Sequence, residues 1–172
     1  MKNKTLLLSA LAVFGGAFLF LAASCKKGGG PVAAPIGVIG TVGDSNFVST
    51  SAQSYYDTSL NIFLVAGVSF RSYDSSYLSI QFPPPIRVNV PVSSDSENVL
   101  IGYSNSIQRI SYLGGAKPYN GHAVYTVTSW DSVNRKLQGT FSGTIYGVST
   151  GSMSDSLVVT RGAFNVTYGG QH

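Results

Sequence analysis

Residues 136–146 read KLQGTFSGTIY, and that alternation leaves the chain few options. Leu137, Gly139, Phe141, Gly143 and Ile145 fall on one side; Gln138, Thr140, Ser142, Thr144 and Tyr146 fall on the other. A strand sends successive side chains to opposite faces, so the pattern predicts a strand with one face on a core and one in water. Residues 123–130 just upstream are rich in Tyr, Val and Thr, and Asp131-Ser-Val-Asn-Arg135 supplies turn residues. Together they predict a β-hairpin with a loop of about four or five residues.

The same signals recur along the chain. Residues 36–42 (IGVIGTV) predict a first strand, the cluster Gly43-Asp-Ser-Asn46 a turn, and residues 47–56 a second strand. The strongest alternation comes next, with Leu60, Ile62, Leu64, Ala66, Val68 and Phe70 on one face. Its other face carries Phe63 and Val65 and is expected to be partly covered. Residues 77–82 alternate again, with Leu78, Ile80 and Phe82 inward, until Pro83-Pro-Pro85 stops the ladder. Ile86, Val88 and Val90 alternate with polar residues and Pro91 and predict an edge strand; short strands are expected at 99–103 and 107–113. The last strands fall at 156–160 and 163–168, and Arg161-Gly162 between them fits either a tight turn or a bulge. No run shows helical periodicity after the N-terminus. Frequent turns between short strands predict an all-β fold, an antiparallel β-sandwich (Ig-like or jelly-roll-like), with a β-barrel as the alternative.

Composition agrees. Charged residues are 10% of the chain, against about 25% in ordinary globular proteins, so the surface is rich in hydroxyls rather than charge. The formal charge is +4, but setting Lys2 and Lys4 aside leaves nine basic residues against seven acidic, a net of +2. The basic residues form no stripe, which argues against nucleic-acid binding. The single cysteine, Cys25, permits no internal disulfide.

The N-terminus reads as an address. Met1 to Lys4 is positively charged, residues 5–23 are apolar, and small residues lead up to Cys25. This predicts a signal peptide over residues 1–24. Leu21-Ala-Ala-Ser-Cys25 resembles a bacterial lipobox, with Ala22 where Leu is usual, and Cys25-Lys26-Lys27 is similar to the mature start of Bacteroidota lipoproteins. The resemblance implies acylation of Cys25 and anchoring in the outer membrane, on its periplasmic face or at the cell surface; more than one acyl chain gives stable attachment. Residues 25–35, with three glycines and two prolines, are expected to be a flexible tether, leaving 36–172 as one domain.

Three further segments carry a second resemblance: Ser129-Trp-Asp131, Lys136-Leu-Gln-Gly-Thr-Phe-Ser-Gly143, and Asp155 through Gly162-Ala-Phe164 to Tyr168. An aspartate turn, a GTFSG-type strand and a last strand with Gly-x-Phe resemble small Bacteroidota lipoproteins of unknown function. The resemblance covers about a quarter of the chain and implies a lipid-anchored β-sandwich. It brings no catalytic residues.

The chemistry available is sparse. His122 and His172 are the only histidines, no G-x-S-x-G occurs, and no His/Cys/Asp/Glu cluster has metal-ligand spacing. Serines are too many for a Ser–His–Asp set with His122 to be informative. Asp95 and Glu97 share a loop without a regular calcium-ligand array, and most acids sit where an Asx turn explains them. The sequence therefore calls for no cofactor and no enzyme, with a hydrolase using scattered carboxylates as the weakest reading. Aromatics are the better lead: Trp130, Tyr125 and Tyr146 are the candidate ligand-binding residues, suited to stacking on a glycan or gripping an envelope protein. The leading expectation is a non-catalytic binding module; the alternative is a structural or assembly subunit that pairs through a sheet edge such as 86–90. Asp131-Ser132-Val133 and Asp155-Ser156-Leu157 also resemble O-glycosylation acceptor sites of Bacteroidota.

Overall fold

The computed structural model describes residues 37–71, 74–108, 110–148 and 155–169. The expected signal sequence, Cys25 and the tether lie outside the described residues, as does His172. Among the described residues there are eleven strands and no helix. In chain order they are β1 (Gly37–Val42), β2 (Ser45–Val48), β3 (Ser51–Asp57), β4 (Ile62–Arg71), β5 (Asp74–Phe82), β6 (Pro91–Ser93), β7 (Leu100–Asn105), β8 (Ile110–Gly115), β9 (His122–Asp131), β10 (Lys136–Gly147) and β11 (Ser156–Thr167). They form one sheet, ordered β2-β1-β11-β10-β8-β7-β5-β4-β3, with β9 attached to β10 and β6 to β9. Every strand ladder is antiparallel, and the sheet curls into a half-barrel. The all-β antiparallel class is as expected, and the two facing layers belong to one continuous sheet.

The hairpin at 123–146 forms as the alternation predicts. Leu137, Gly139, Phe141 and Ile145 are buried, Thr140 and Ser142 exposed, and four residues separate β9 from β10. Asp131 holds that turn: its Oδ1 accepts from the backbone N–H of Asn134 (2.9 Å) and Val133 (3.0 Å). The hydrogen bonds from Asn134 hold the Asp131 carboxyl below the usual carboxylate range.

β10 organises the sheet around it. It pairs with β11 along its length, with β9 over residues 136–144 and with β8 at Tyr146–Gly147. Arg161-Gly162 lies inside β11, which runs through as one strand with a bulge against both neighbours. Arg161 takes a φ of 53°. At Gly162 a Cβ would lie 2.4 Å from the Phe141 carbonyl oxygen, so the strands could not approach this closely with a larger residue. A bulge of this kind bends its strand and adds twist, which a curling sheet needs.

The core fills the inside of the curl. Leu78, Ile80 and Phe82 of β5 are fully buried, as expected. The Phe82 ring stacks on Tyr125 (4.3 Å), Phe63 (5.8 Å) and Phe164 (6.1 Å), and Phe164 in turn on Phe141 (6.4 Å). Each such pair contributes about 0.5–1.5 kcal/mol beyond its buried area.

In β4 the core takes the face opposite to the more apolar one. Phe63 and Val65 are buried, whereas Leu60 and Phe70 are 66% and 62% exposed. The reason is partnership: the Phe63 ring meets Tyr56 at 4.8 Å and Tyr168 edge-on at 5.9 Å. Two other runs differ from expectation. Residues 47–56 divide into β2 and β3 around Ser49 and Thr50, whose N–H groups go to Val38 and Val68 respectively. The edge strand expected at 86–90 reduces to a single bridge, Val88 to Val127, because Asn89 turns to a φ of 60°; β6 forms the short strand there instead.

The inverted face of β4 sets the energetics. Phe63→Ala is expected to cost about 3–5 kcal/mol in denaturant unfolding, and Phe70→Ala less than about 0.5 kcal/mol. Equal losses would show that the outward row is packed.

Candidate functional site

The three aromatic candidates do not converge. Tyr125 is 1% exposed, with its ring stacked on Phe82, so it belongs to the core and cannot present a ligand platform. This corrects the sequence reading: between Ala123 and Val127, both fully buried, Tyr125 takes an inward position of β9. Burial, then the negative charge of Glu97, pushes the Tyr125 phenol up to about 12, with Arg87 acting the other way. Its hydroxyl is buried without a hydrogen-bond partner, as is Oε2 of Glu97.

Trp130 is 42% exposed and directly opposite Leu137, on the concave side at its rim. Strict alternation from Tyr125 would have put Trp130 outside. A register shift opposite Gln138/Gly139 makes Thr128 the extra residue and re-aims Ser129 and Trp130. Trp130 Nε1–H donates to the Tyr168 hydroxyl at 3.2 Å. Tyr146 is half-buried on the outer face, between Leu113 of β8 and Ser156 of β11. Along β10 it lies nine positions from the residue opposite Trp130, about 30 Å away.

The polar residues gather elsewhere, where β10 changes partner from β9 to β8. Gly114 and Gly121 meet there, each with its Cβ position within 2.2 Å of the Thr144 carbonyl oxygen, so only glycine fits at either. Two loops, residues 94–99 and 116–121, flank this seam. Ser94 N–H donates to the Ala123 carbonyl of β9 (2.8 Å), which fixes the first loop to that strand, and Ala116 N–H donates to the Val99 carbonyl (2.9 Å), which ties the two loops together. Between the loops lies an open groove of about 1080 Å³, lined by Asp95, Glu97, Asn98, Lys117, Tyr119 and Asn120 among others. Tyr119 is its exposed aromatic side chain.

At one end of the groove Ser93, Asp95 and His122 meet. His122 Nε2 is 3.2 Å from Ser93 Oγ and 3.3 Å from Asp95 Oδ2, and Ser93 Oγ donates to the same carboxylate at 3.1 Å. A nucleophilic triad divides its serine and its carboxylate between the two ring nitrogens. Here both converge on Nε2, an arrangement that clasps the loop to β9 and offers no relay to a hydroxyl. Glu97 pairs instead with Arg87, so the two acids of this loop are directed to different partners and do not form one calcium-binding set. Among the described residues no three His, Cys, Asp or Glu side chains come together to hold a metal ion. The serine–histidine–aspartate contact and the Lys117–Gly121 wall were invisible in the sequence, because nothing local ties residue 95 to residue 122.

Asp131 and Asp155, the acids of the two glycosylation-like motifs, both have structural work. Asp131 closes the hairpin, and Asp155 accepts from the Tyr112 hydroxyl at 2.6 Å. That bond, followed by burial, pushes Tyr112 up to about 12.

No protein family, curated protein or solved structure matches the chain.

A buried phenol without a partner has a consequence for stability. Tyr125→Phe is expected to leave unfolding free energy at pH 7 unchanged or raised by about 1 kcal/mol, because the lost hydroxyl offset its own desolvation poorly. Tyr125 binds its proton more tightly folded than unfolded, so its contribution is whole below pH 10 and is lost as pH rises towards about 12. Denaturant midpoints of the variant should therefore fall less steeply between those values. A loss above 1 kcal/mol at pH 7 would mean that the hydroxyl is well bonded.

Proposed function

We propose that the chain is a lipid-anchored lipoprotein of the bacterial envelope, attached through Cys25 to the outer membrane, whose β-domain binds a glycan or protein ligand without catalysis. The observation that carries the binding part is the groove at the β8/β9 seam. It is open, polar and uncommitted to any one charge, with amide, carboxylate and ammonium groups around an exposed tyrosine. Such a lining suits a hydroxyl-rich chain, since planar polar groups take hydroxyls in pairs and an aromatic face takes the C–H side of a ring. The anchoring part rests on the lipobox-like sequence before Cys25.

The full chain, solubilised in detergent, should bind members of a glycan array, and Tyr119→Ala should weaken that binding about tenfold, the loss expected for one aromatic contact. Trp130→Ala, at the opposite rim, should weaken it less. An array silent for the folded protein removes the glycan reading and leaves a protein ligand. In cells, Cys25→Ala and globomycin should each block processing and release the protein from the membrane fraction; retention under both defeats the anchoring claim.

A second reading, an assembly subunit, draws on the outward side of β4, where Phe70, and Leu60 in the turn before the strand, are mostly exposed. Concentration-dependent association that Phe70→Ser abolishes would favour it.

A further inference from the structure

The two ends of the curled sheet are finished differently. At the end that holds the β9–β10 turn, Tyr56, Phe63, Tyr168 and Trp130 close the interior with rings. The other end, where β4 turns into β5 and β7 into β8, is left polar. A pocket of about 130 Å³ opens there between the β1–β2 turn and β5. By the volume that water takes in the liquid, about 30 Å³ each, it has room for about four waters, or for one hydroxyl-bearing edge of a small ring.

Its lining points to one class of occupant. Ser69 reaches in from the concave face of β4 and is 8% exposed, so a hydroxyl stands where an apolar side chain would pack. Asp74 Oδ1 is buried and has no hydrogen-bond partner, while its Oδ2 accepts from Asn105 Nδ2 at 3.3 Å. The same amide group donates to Ser76 Oγ at 3.3 Å, so Asn105 is held in place beside Asp74. Ser45 and Asn46 edge the pocket on the β2 side, and the Asn46 amide is turned to the outer face, its Oδ1 accepting from Thr41 Oγ1 at 3.3 Å. Phe47, which is buried, and the half-buried Tyr103 supply apolar wall.

An ionised carboxylate only accepts hydrogen bonds, so its free oxygen requires a donor. The groups around it are hydroxyls and amides, which donate and accept in turn, and the walls beside them are aromatic. An anionic ligand would be repelled by Asp74, and a wholly apolar one would strand the buried oxygen. We propose that this pocket takes the hydroxyl-bearing edge of one neutral sugar ring, with a pair of ring hydroxyls directed at Asp74 and Ser69 and the edge of the ring lying along Phe47 and Tyr103. The site is separate from the seam groove and stands whether or not that groove binds a glycan.

Saturation-transfer NMR on the full chain in detergent, with a panel of free hexoses and N-acetylhexosamines, tests it. At least one sugar should receive saturation from the protein. Asp74→Asn should weaken its binding about tenfold or more, the loss of a bond to a charged acceptor. Ser69→Val, which removes the pocket hydroxyl and narrows the space by about a methyl group without touching the carboxylate, should weaken it about tenfold, and Val133→Ala in the exposed β9–β10 turn should leave it unchanged. Thermal unfolding of each variant confirms that it is folded. The proposal is overturned if no monosaccharide receives saturation, if both pocket variants bind as the parent does, or if Tyr119→Ala alone removes the signal. Stabilisation by calcium chloride that Asp74→Asn removes, with no sugar bound, would make it a cation site and overturn it equally.

Discussion

Two residues force the shape of this protein. β2 and β3 stand at opposite ends of the strand order, yet only Ser49 and Thr50 separate them in sequence. Laid flat, the nine strands of that path would hold its ends roughly 38 Å apart at the usual strand spacing, while a two-residue link reaches about 10 Å. The sheet has to curl until its ends meet, and Ser49 and Thr50 mark where they do, one bonded to β1 and the other to β4. Gly169 adds a second tie by donating to the Ser54 carbonyl at 2.7 Å. Much else in the fold is set by this closure. The bulge in β11 supplies bend, and the Phe82 ring, touching rings from β4, β9 and β11, fills the space that closure encloses.

This also explains what could be read from the sequence. The β9–β10 hairpin was legible because its alternation, its turn chemistry and its short loop all agree, and all are local. Leu78, Ile80 and Phe82 were legible for the same reason, with prolines marking the strand's end. β4 was legible as a strand but its inward face was not: both faces are apolar, and periodicity separates two faces without saying which one finds partners. The answer lay with Tyr56 and Phe82, which pair with Phe63 from the flanking strands, and with Tyr168, which only the curled sheet brings to it.

The candidate sites were less legible still. One extra residue at Thr128 carried Trp130 from the expected outer face to the concave rim, and nothing in Thr128-Ser129-Trp130 announces it. Tyr125 looked like a surface tyrosine because tyrosine commonly covers sheet faces, yet it is the ring nearest Phe82. The seam groove depends on β10 exchanging β9 for β8, a long-range pairing decision. Gly114 and Gly121 are its local trace, since each lies against the Thr144 carbonyl where no side chain fits, but a glycine in a loop has many possible reasons.

The polar residues of the interior carry the argument about function furthest. A curled sheet of this size would be more stable with no carboxylate oxygen under cover at Asp74, because a buried polar atom without a partner costs roughly 1–3 kcal/mol. The chain closes one end of the same interior with four aromatic rings, so an apolar finish is within its means. Costs of this kind are tolerated where a polar group has work that folding does not explain. The two ends of one core therefore differ in kind: the rings at the Trp130 end are accounted for by closure, and the free Asp74 oxygen is not.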